Sequence, residues 1–194
     1  MKTSVLTLGL LTILPLAASA AERLSYNYVE GDYVRTDFKN IDGYNAPTAD
    51  GFGIKGSYAF SPNFHFYGLL NRQDFPHNYY AGTFNEWQAG IGYNRELNST
   101  TDFLVRAAYF DFNKSLSGHG ISVESGVRKY FNQSFEGYVL GGLQNYLSKD
   151  SLNGHFFLRF GGQVKINQNW GIAADMKFGG GDFDQFTIGP RLTW

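Results

Sequence analysis

The chain of 194 residues has four histidines and no cysteine, so any reactive chemistry falls to His, Ser and the carboxylates. Thiol nucleophiles, disulfide scaffolds, zinc ribbons and lipid attachment through an N-terminal Cys are excluded by composition. Two short runs carry residue types that could react. Ser115, Ser117 and His119 read as fragments of a lipid-deacylating Ser/His pair, and Asp74 with His77 reads as half of an Asp/His protease site. A triad is defined by geometry and not by proximity along the chain, so neither run specifies an enzyme, and the expectation is a non-catalytic protein. His65 and His155 read as satisfied interior histidines. With no metal-ligand spacing, phosphate loop or cofactor fingerprint in the chain, no metal or cofactor is expected.

A second chemical set is charged. Lys55, Arg106, Arg128, Arg159, Lys165, Lys177 and Arg191 stand against Glu30, Asp32, Glu86, Glu124, Glu136 and Asp175, seven positive to six negative. Each occupies the polar phase of a run in which every second residue is apolar. The near balance of sign is what an internal ion-pair network needs.

Those charges must be positioned by strands. Apolar and polar residues alternate with a period of two in run after run, and the helical i, i+3, i+4 pattern is nowhere sustained. Phe156, Leu158, Phe160, Val164 and Ile166 oppose Arg159, Gln163 and Lys165; Trp170, Ile172, Ala174, Met176 and Phe178 oppose Asp175 and Lys177. Ten such runs can be drawn, with eight as the alternative count. The first, at 24–37, is the least tidy: Val29, Gly31 and Tyr33 form its apolar side, Leu24, Tyr26 and Tyr28 follow the other phase, and a bulge near Tyr28 is expected to reconcile them. Connections alternate between short ones at 61–63, 98–101, 132–134 and 167–169 and longer ones at 39–50, 74–83, 113–118, 147–153 and 179–182. Such asymmetry belongs to an up-and-down barrel crossing a membrane, with tight turns in the periplasm and larger loops outside.

The wet face decides between this and a soluble barrel. A soluble barrel turns its apolar phase inward and covers its outside with charge. Here charged residues are only 17% of the chain, against the quarter usual in globular domains, and Gly (24), Phe (18) and Tyr (13) are abundant. The polar phase, mostly Gly, Ser, Gln, Asn and Tyr, suits an enclosed interior. The apolar phase is continuous in large side chains, and its charged exceptions, Arg35, Arg95 and Lys129, lie near run ends, where charge on the lipid face costs little. A mean hydropathy of −0.29 averages over this alternation and is blind to it. Trp170, Trp194, Trp87 and Tyr93 fall where an aromatic girdle requires them. A lumen of about ten strands that also holds Tyr67, Leu69, Leu104, Tyr138, Leu140 and Phe157 is expected to be mostly plugged, since open channels belong to barrels of about 16 strands. A narrow path for small solutes is the alternative.

Residues 1–20 read as a signal peptide: Lys2 supplies the positive charge, 5–16 the apolar stretch, and Ala18-Ser19-Ala20 the cleavage signal. The barrel then occupies 21–194, with a formal net charge that falls from −1 to −2 when Lys2 is removed. Such a charge offers nothing to nucleic acid. The expected surroundings are outer-membrane lipid, with the protein monomeric. Phe75, Tyr79 and Tyr80, in the second long loop, are the candidate contacts for an extracellular partner.

The last residues, Thr187-Ile188-Gly189-Pro190-Arg191-Leu192-Thr193-Trp194, resemble the C-terminal β-signal of bacterial outer-membrane proteins. That resemblance implies delivery to the barrel-assembly machinery, with Gly189, Leu192 and Trp194 as the recognised positions. Pro190 departs from it, lacking an N–H and so leaving one ladder bond unmade. More closely, the block from Ala21 to Thr36, with Gly56-Ser57-Tyr58-Ala59, Pro62-Asn63-Phe64-His65, Phe135-Glu136-Gly137-Tyr138 and the block from Gln163 to Gly171, is similar to a small exported outer-membrane family of xanthomonads. That family was described as an activator of plant receptor-mediated immunity with a quorum-sensing role, and more broadly it is like small barrels of the OmpA/OmpX type. The resemblance implies a surface or virulence role and a tyrosine-modified N-terminal signal at Tyr26. Because Tyr26 belongs to a run expected to pair as a strand, release in outer-membrane vesicles fits the sequence better than release as a free peptide.

Overall fold

The computed structural model describes residues 24–39, 48–75, 82–113, 118–147, 154–179 and 183–194. The expected signal peptide at 1–20 lies outside these, as do Ser115, Ser117, His77, Tyr79 and Tyr80. The described residues form ten antiparallel strands: β1 (Tyr28–Phe38), β2 (Thr48–Ser61), β3 (Phe64–Asp74), β4 (Thr83–Asn98), β5 (Thr101–Asn113), β6 (Gly118–Asn132), β7 (Phe135–Tyr146), β8 (Gly154–Lys165), β9 (Trp170–Gly179) and β10 (Phe183–Thr193). Each pairs with its neighbours in sequence, and β1 pairs with β10 to close the barrel. Ten strands, and not eight, make up the wall.

Short connections, the start of β1 and the end of β10 share one end of the barrel, called here the inner end. Side-chain oxygens tie its turns, as Ser and Asn do when they stand in for backbone acceptors. Ser61 Oγ accepts from the Phe64 N–H at 3.1 Å, and Asn98, Asn132 and Asn167 accept from N–H groups two residues on, at 3.0, 2.9 and 3.0 Å. Register slips only beside these turns, between Ala59/Ser61, Glu96/Asn98 and Tyr130/Asn132.

β1 contains no bulge. Its register with β10 runs unshifted from Tyr28↔Thr193 to Phe38↔Phe183. The phase conflict expected near Tyr28 has another cause: Leu24 and Tyr26 precede the strand and share its inward phase, so their apolar bulk enters the lumen. The β1–β10 ladder skips Gly31 and Asp32, opposite Gly189 and Pro190. There the two backbones approach so closely that a Cβ at Gly189 would overlap the Gly31 carbonyl oxygen, and Pro190 has no N–H to donate.

Wall polarity changes with height. Through the middle of the barrel the outward residues are Ile54, Leu70, Ile91, Val123, Val139, Leu143, Val164 and Ile172, all exposed, while Glu30, Asp32, Glu124, Gln144, Gln163 and Thr187 are buried within. At the outer end the order inverts. Phe38, Phe84, Phe110, Phe112 and Phe183 pack inside as one buried cluster with Ala49. Asp37, Asp74 and His119 stand exposed on the outward phase there, and Asp50, Asn85, Asp111 and Asn145 share it. A bilayer-crossing strand needs about 9–11 residues. β4 has 16, β6 has 15 and β2 has 14, so these strands rise beyond the hydrocarbon as a collar whose apolar side is its inside. The fold is thus a transmembrane, up-and-down antiparallel barrel with an aromatic collar.

Candidate functional site

The lumen holds the chemistry, in a stack of layers. Its middle contains two chains of ion pairs. In the first, Lys55 Nζ lies 3.1 Å from Glu30 and 3.2 Å from Asp32, Arg191 Nε lies 2.6 Å from Glu30, and Arg128 Nη2 lies 2.5 Å from Glu136, which Arg191 also approaches at 3.7 Å. In the second, Arg106 Nη2 lies 2.5 Å from Glu124, and Arg159 reaches Glu124 at 3.4 Å and Asp175 at 3.5 Å. The Tyr138 hydroxyl donates to Asp175. Burial of such charges is tolerable only when they are paired and hydrogen-bonded, and alternation along the strands brings them to one axis.

Of the thirteen charges singled out by sequence, ten lie in these pairs. The other three have neutral partners. Glu86 accepts from Asn71 at 3.0 Å and Gln185 at 2.9 Å. Lys177 donates to Gln144 at 2.7 Å and sits 4.5 Å from the Phe157 ring centre, and Lys165 lies over Tyr130 at 5.0 Å.

Large inward side chains fit because glycines face them. A Cβ at Gly161 would overlap the Tyr138 ring, and one at Gly92 the His65 ring. His65 is buried, with Nδ1 at 3.4 Å from the Asn94 side-chain oxygen.

Above the ion pairs, the collar aromatics close the outer mouth. Phe38 and Phe84 meet edge to face at 5.3 Å, Phe84 stacks on Phe112 at 5.5 Å, and Phe112 meets Phe183 edge to face at 5.7 Å. Phe75 belongs to this layer. Its ring lies 5.3 Å from Phe38 and 6.5 Å from Phe84, so it packs onto the stopper. In a loop stem just above the wall, the aromatic gains from the apolar collar while staying partly exposed. Tyr79 and Tyr80 lie outside the described residues.

Below the ion pairs, a four-residue strap, 24–27, closes the inner mouth. Tyr26 stacks on His65 at 4.6 Å, lies 4.9 Å under the Arg128 guanidinium and donates to Asp102 at 2.9 Å. Burial pushes its phenol above the ordinary range, Arg128 opposes the shift and Asp102 reinforces it. Leu24 packs with Tyr26, Leu104 and Leu140. The Ser25 carbonyl accepts from Arg128 at 2.8 Å, and its hydroxyl donates to the carbonyl of Trp194 at 2.8 Å. The Asn27 side-chain oxygen accepts from the Ala59 N–H at 2.7 Å. Neither the strap nor the aromatic collar was visible to sequence reasoning. The available signal was the Phe-Asp-Phe run at 110–112, which puts phenyls on the phase that charges occupy lower down.

Of the residues singled out for reactive chemistry, His119 faces outward beside Tyr109, with ring centres 6.2 Å apart. Asp74 accepts from the Thr83 hydroxyl at 3.0 Å. Among the C-terminal positions, Gly189 sits at the tight seam, Leu192 pairs with Val29 and Trp170, and Trp194 donates its N–H to the Asn27 carbonyl at 3.2 Å.

Wall, collar and occluded lumen define a small membrane-spanning barrel of the outer-membrane type. No protein-family profile and no curated protein sequence matches the chain. Solved structures do resemble it. The translocator domain of the autotransporter NalP from Neisseria meningitidis matches with a TM-score of 0.50 at 9% identity, over 89% of this chain and 90% of that one. The KdgM porin matches with 0.46 at 8% identity, over 86% and 99%. The transport unit of the autotransporter AIDA-I from Escherichia coli matches with 0.44 at 12%, over 95% and 93%. At such identities the likeness is one of fold.

Proposed function

We propose that this protein resides in a bacterial outer membrane as a closed barrel whose role is to present its outer loops to a partner at the cell surface. A lumen occluded at three heights carries this reading: phenyl rings at the outer mouth, paired charges in the middle and Tyr26 at the inner mouth. A barrel so filled contributes a rigid, lipid-anchored scaffold, and what varies for function lies in the connections above the collar. Residues 1–20 serve as the export signal and 21–194 as the barrel, delivered to the assembly machinery through Gly189, Leu192 and Trp194. Sequence likeness to the xanthomonad family favours adhesion, signalling or virulence as the setting, with release in vesicles. Tyr26 serves there as part of the stopper, not as a free modified signal. The barrel acts as a non-catalytic monomer in lipid, without a cofactor.

The test has two arms. In planar bilayers the wild-type protein gives no conductance steps. Removing 21–27 and making Phe84→Ala, singly or together, also gives none, because the paired charges still fill the middle. Deleting 76–81 lowers binding of cells to host matrix while the unboiled protein keeps its faster-running band on a detergent gel. Steady conductance by the wild type overturns the closed-barrel reading in favour of a narrow solute channel. Unchanged binding after the deletion removes that loop from the partner surface.

A further inference from the structure

We propose that the outer wall carries a binding site for a phosphorylated glycolipid of the outer leaflet, seated across β2–β5 with a phosphate on Arg72. The inference rests on the outer-membrane location proposed above. A groove of about 500 Å³ lies on this face, lined by Phe52 and Ile54 of β2, Leu70 of β3 and Trp87 of β4, a size within the roughly 300–1,000 Å³ of small-molecule sites. Its flanking rings lean on the strands to either side. Phe52 meets Tyr33 of β1 edge to face at 6.4 Å, and Trp87 lies 5.4 Å from Tyr109 of β5. The wall over β3 is thereby left open, with Phe52 75% and Leu70 64% exposed.

Charge sets this groove apart from the rest of the apolar belt. Arg72 lies on its lining, one outward step above Leu70 and opposite Phe52 and Asn85, where the outer face passes from apolar residues to Asp50 and Asp74. The surface cations Arg35 and Lys39 at this end are matched, Arg35 by Asp37 and Asp50 and Lys39 by Asp184. Arg72 is exposed and has no ion-pair or hydrogen-bond partner among the described residues. The nearest carboxylates in register are engaged elsewhere: Asp50 accepts from the Tyr33 hydroxyl besides facing Arg35, and Asp74 accepts from Thr83. A guanidinium with free donors at the edge of hydrocarbon suits phosphate, which it can hold with two parallel bonds. Across the groove on β5, Asp111 is likewise without a partner among the described residues. A carboxylate there repels a headgroup that is phosphate alone, but it accepts from the hydroxyls of a sugar.

These parts stand in the order that such a lipid needs. An acyl chain lies against Phe52, Leu70 and Trp87 within the belt, the phosphate meets Arg72 at the boundary, and the sugar meets Asp111 on the collar that rises past the hydrocarbon.

The site is tested on the full mature chain folded in detergent micelles, titrated with lipid A, with lipid A stripped of its phosphates, and with phosphatidylethanolamine, while native mass spectrometry counts the bound lipid. The wild type should hold a single lipid A and bind the stripped form about tenfold more weakly, the worth of one charged hydrogen bond. Arg72→Gln should lose the same factor for lipid A and lose nothing more with the stripped form. Arg35→Gln, whose cation is already matched, should leave binding unchanged. Asp111→Ala should weaken both forms alike, and an excess of inorganic phosphate should leave the lipid in place, because the apolar groove contributes to its hold. The faster-running band of the unboiled protein confirms that each variant has folded. Equal losses from Arg72→Gln and Arg35→Gln mean a general attraction of headgroups and overturn the proposal, as do equal binding of phosphatidylethanolamine and displacement of lipid A by phosphate. Since binding is read on the purified barrel, a missing lipid site and a barrel lodged in another membrane, which fractionation of cells reveals, are told apart.

Discussion

Two heights of the same wall follow opposite rules. In the middle belt Ile54 is 59% exposed on the outside and Glu30 is 1% exposed within, whereas in the collar Phe112, at 5%, is inside and Asp111 faces out. The strands do not change direction or pairing between the two levels. Only the medium against the outer face differs: hydrocarbon penalises charge, so the belt carries its charges inside, and water favours charge, so the collar hides its phenyls. Side-chain alternation with a period of two lets one strand satisfy both rules by exchanging which phase is apolar partway up. The ring where this exchange occurs marks the outer boundary of the membrane on the protein surface.

The largest expected contrast comes from breaking one ion pair at each height. Arg191→Met leaves Glu30 buried with Lys55 as its only cation, and loss of one partner from a buried pair costs about 3–5 kcal/mol. Arg35→Met removes a half-exposed collar cation near Asp37 and Asp50, where a pair contributes about 0–1 kcal/mol. Urea unfolding in lipid vesicles, followed by tryptophan fluorescence, measures both. Equal losses would dissolve the distinction between belt and collar.

A second contrast reads the outer face. Ile172→Arg places charge against hydrocarbon and is expected to cost about 2–4 kcal/mol, while Asp111→Arg, above the boundary, costs about 0–1 kcal/mol. An Arg series along the outward phase of β9 and β5, assayed in the same way, should show the penalty fading toward the collar. A penalty that stays flat to the strand ends would move the membrane boundary above the phenyl cluster.

The smallest effect is expected at the strap. Tyr26→Phe removes one donor from Asp102 and keeps the stacking on His65, a change of about 0.5–1.5 kcal/mol. Because the fold holds this phenol protonated above its ordinary value near 10, its contribution is complete below that pH and is lost as the pH rises beyond it. The variant should therefore lose less stability than the wild type between neutral and strongly alkaline pH. A steeper alkaline loss in the variant would show that Tyr26 is not held in this way.

Fold and site were unequally legible in the sequence. Alternation is local, so the ten strands, the inward phase of the thirteen charges and the turn-borne asymmetry could all be read residue by residue. Which charges pair is set by barrel closure: Glu30 and Arg191 are 161 residues apart and become neighbours only through the β1–β10 seam. The collar escaped reading for the same reason. Its strands contribute only one or two phenyls each, and a cluster exists only when β1, β4, β5 and β10 are brought round one axis. Leu24 and Tyr26 suggested a bulge because they obeyed the wrong phase for a wall exposed to lipid. They obey the right one for a stopper.

The hydrogen bond from Ser25 to the carbonyl of Trp194 joins the strap at 24–27 to the end of β10. Until the final strand has been zipped against the first, that carbonyl is elsewhere and the plug lacks one of its ties. Full seating of the plug thereby depends on barrel closure, which couples the chain's first strand to its last at the inner mouth.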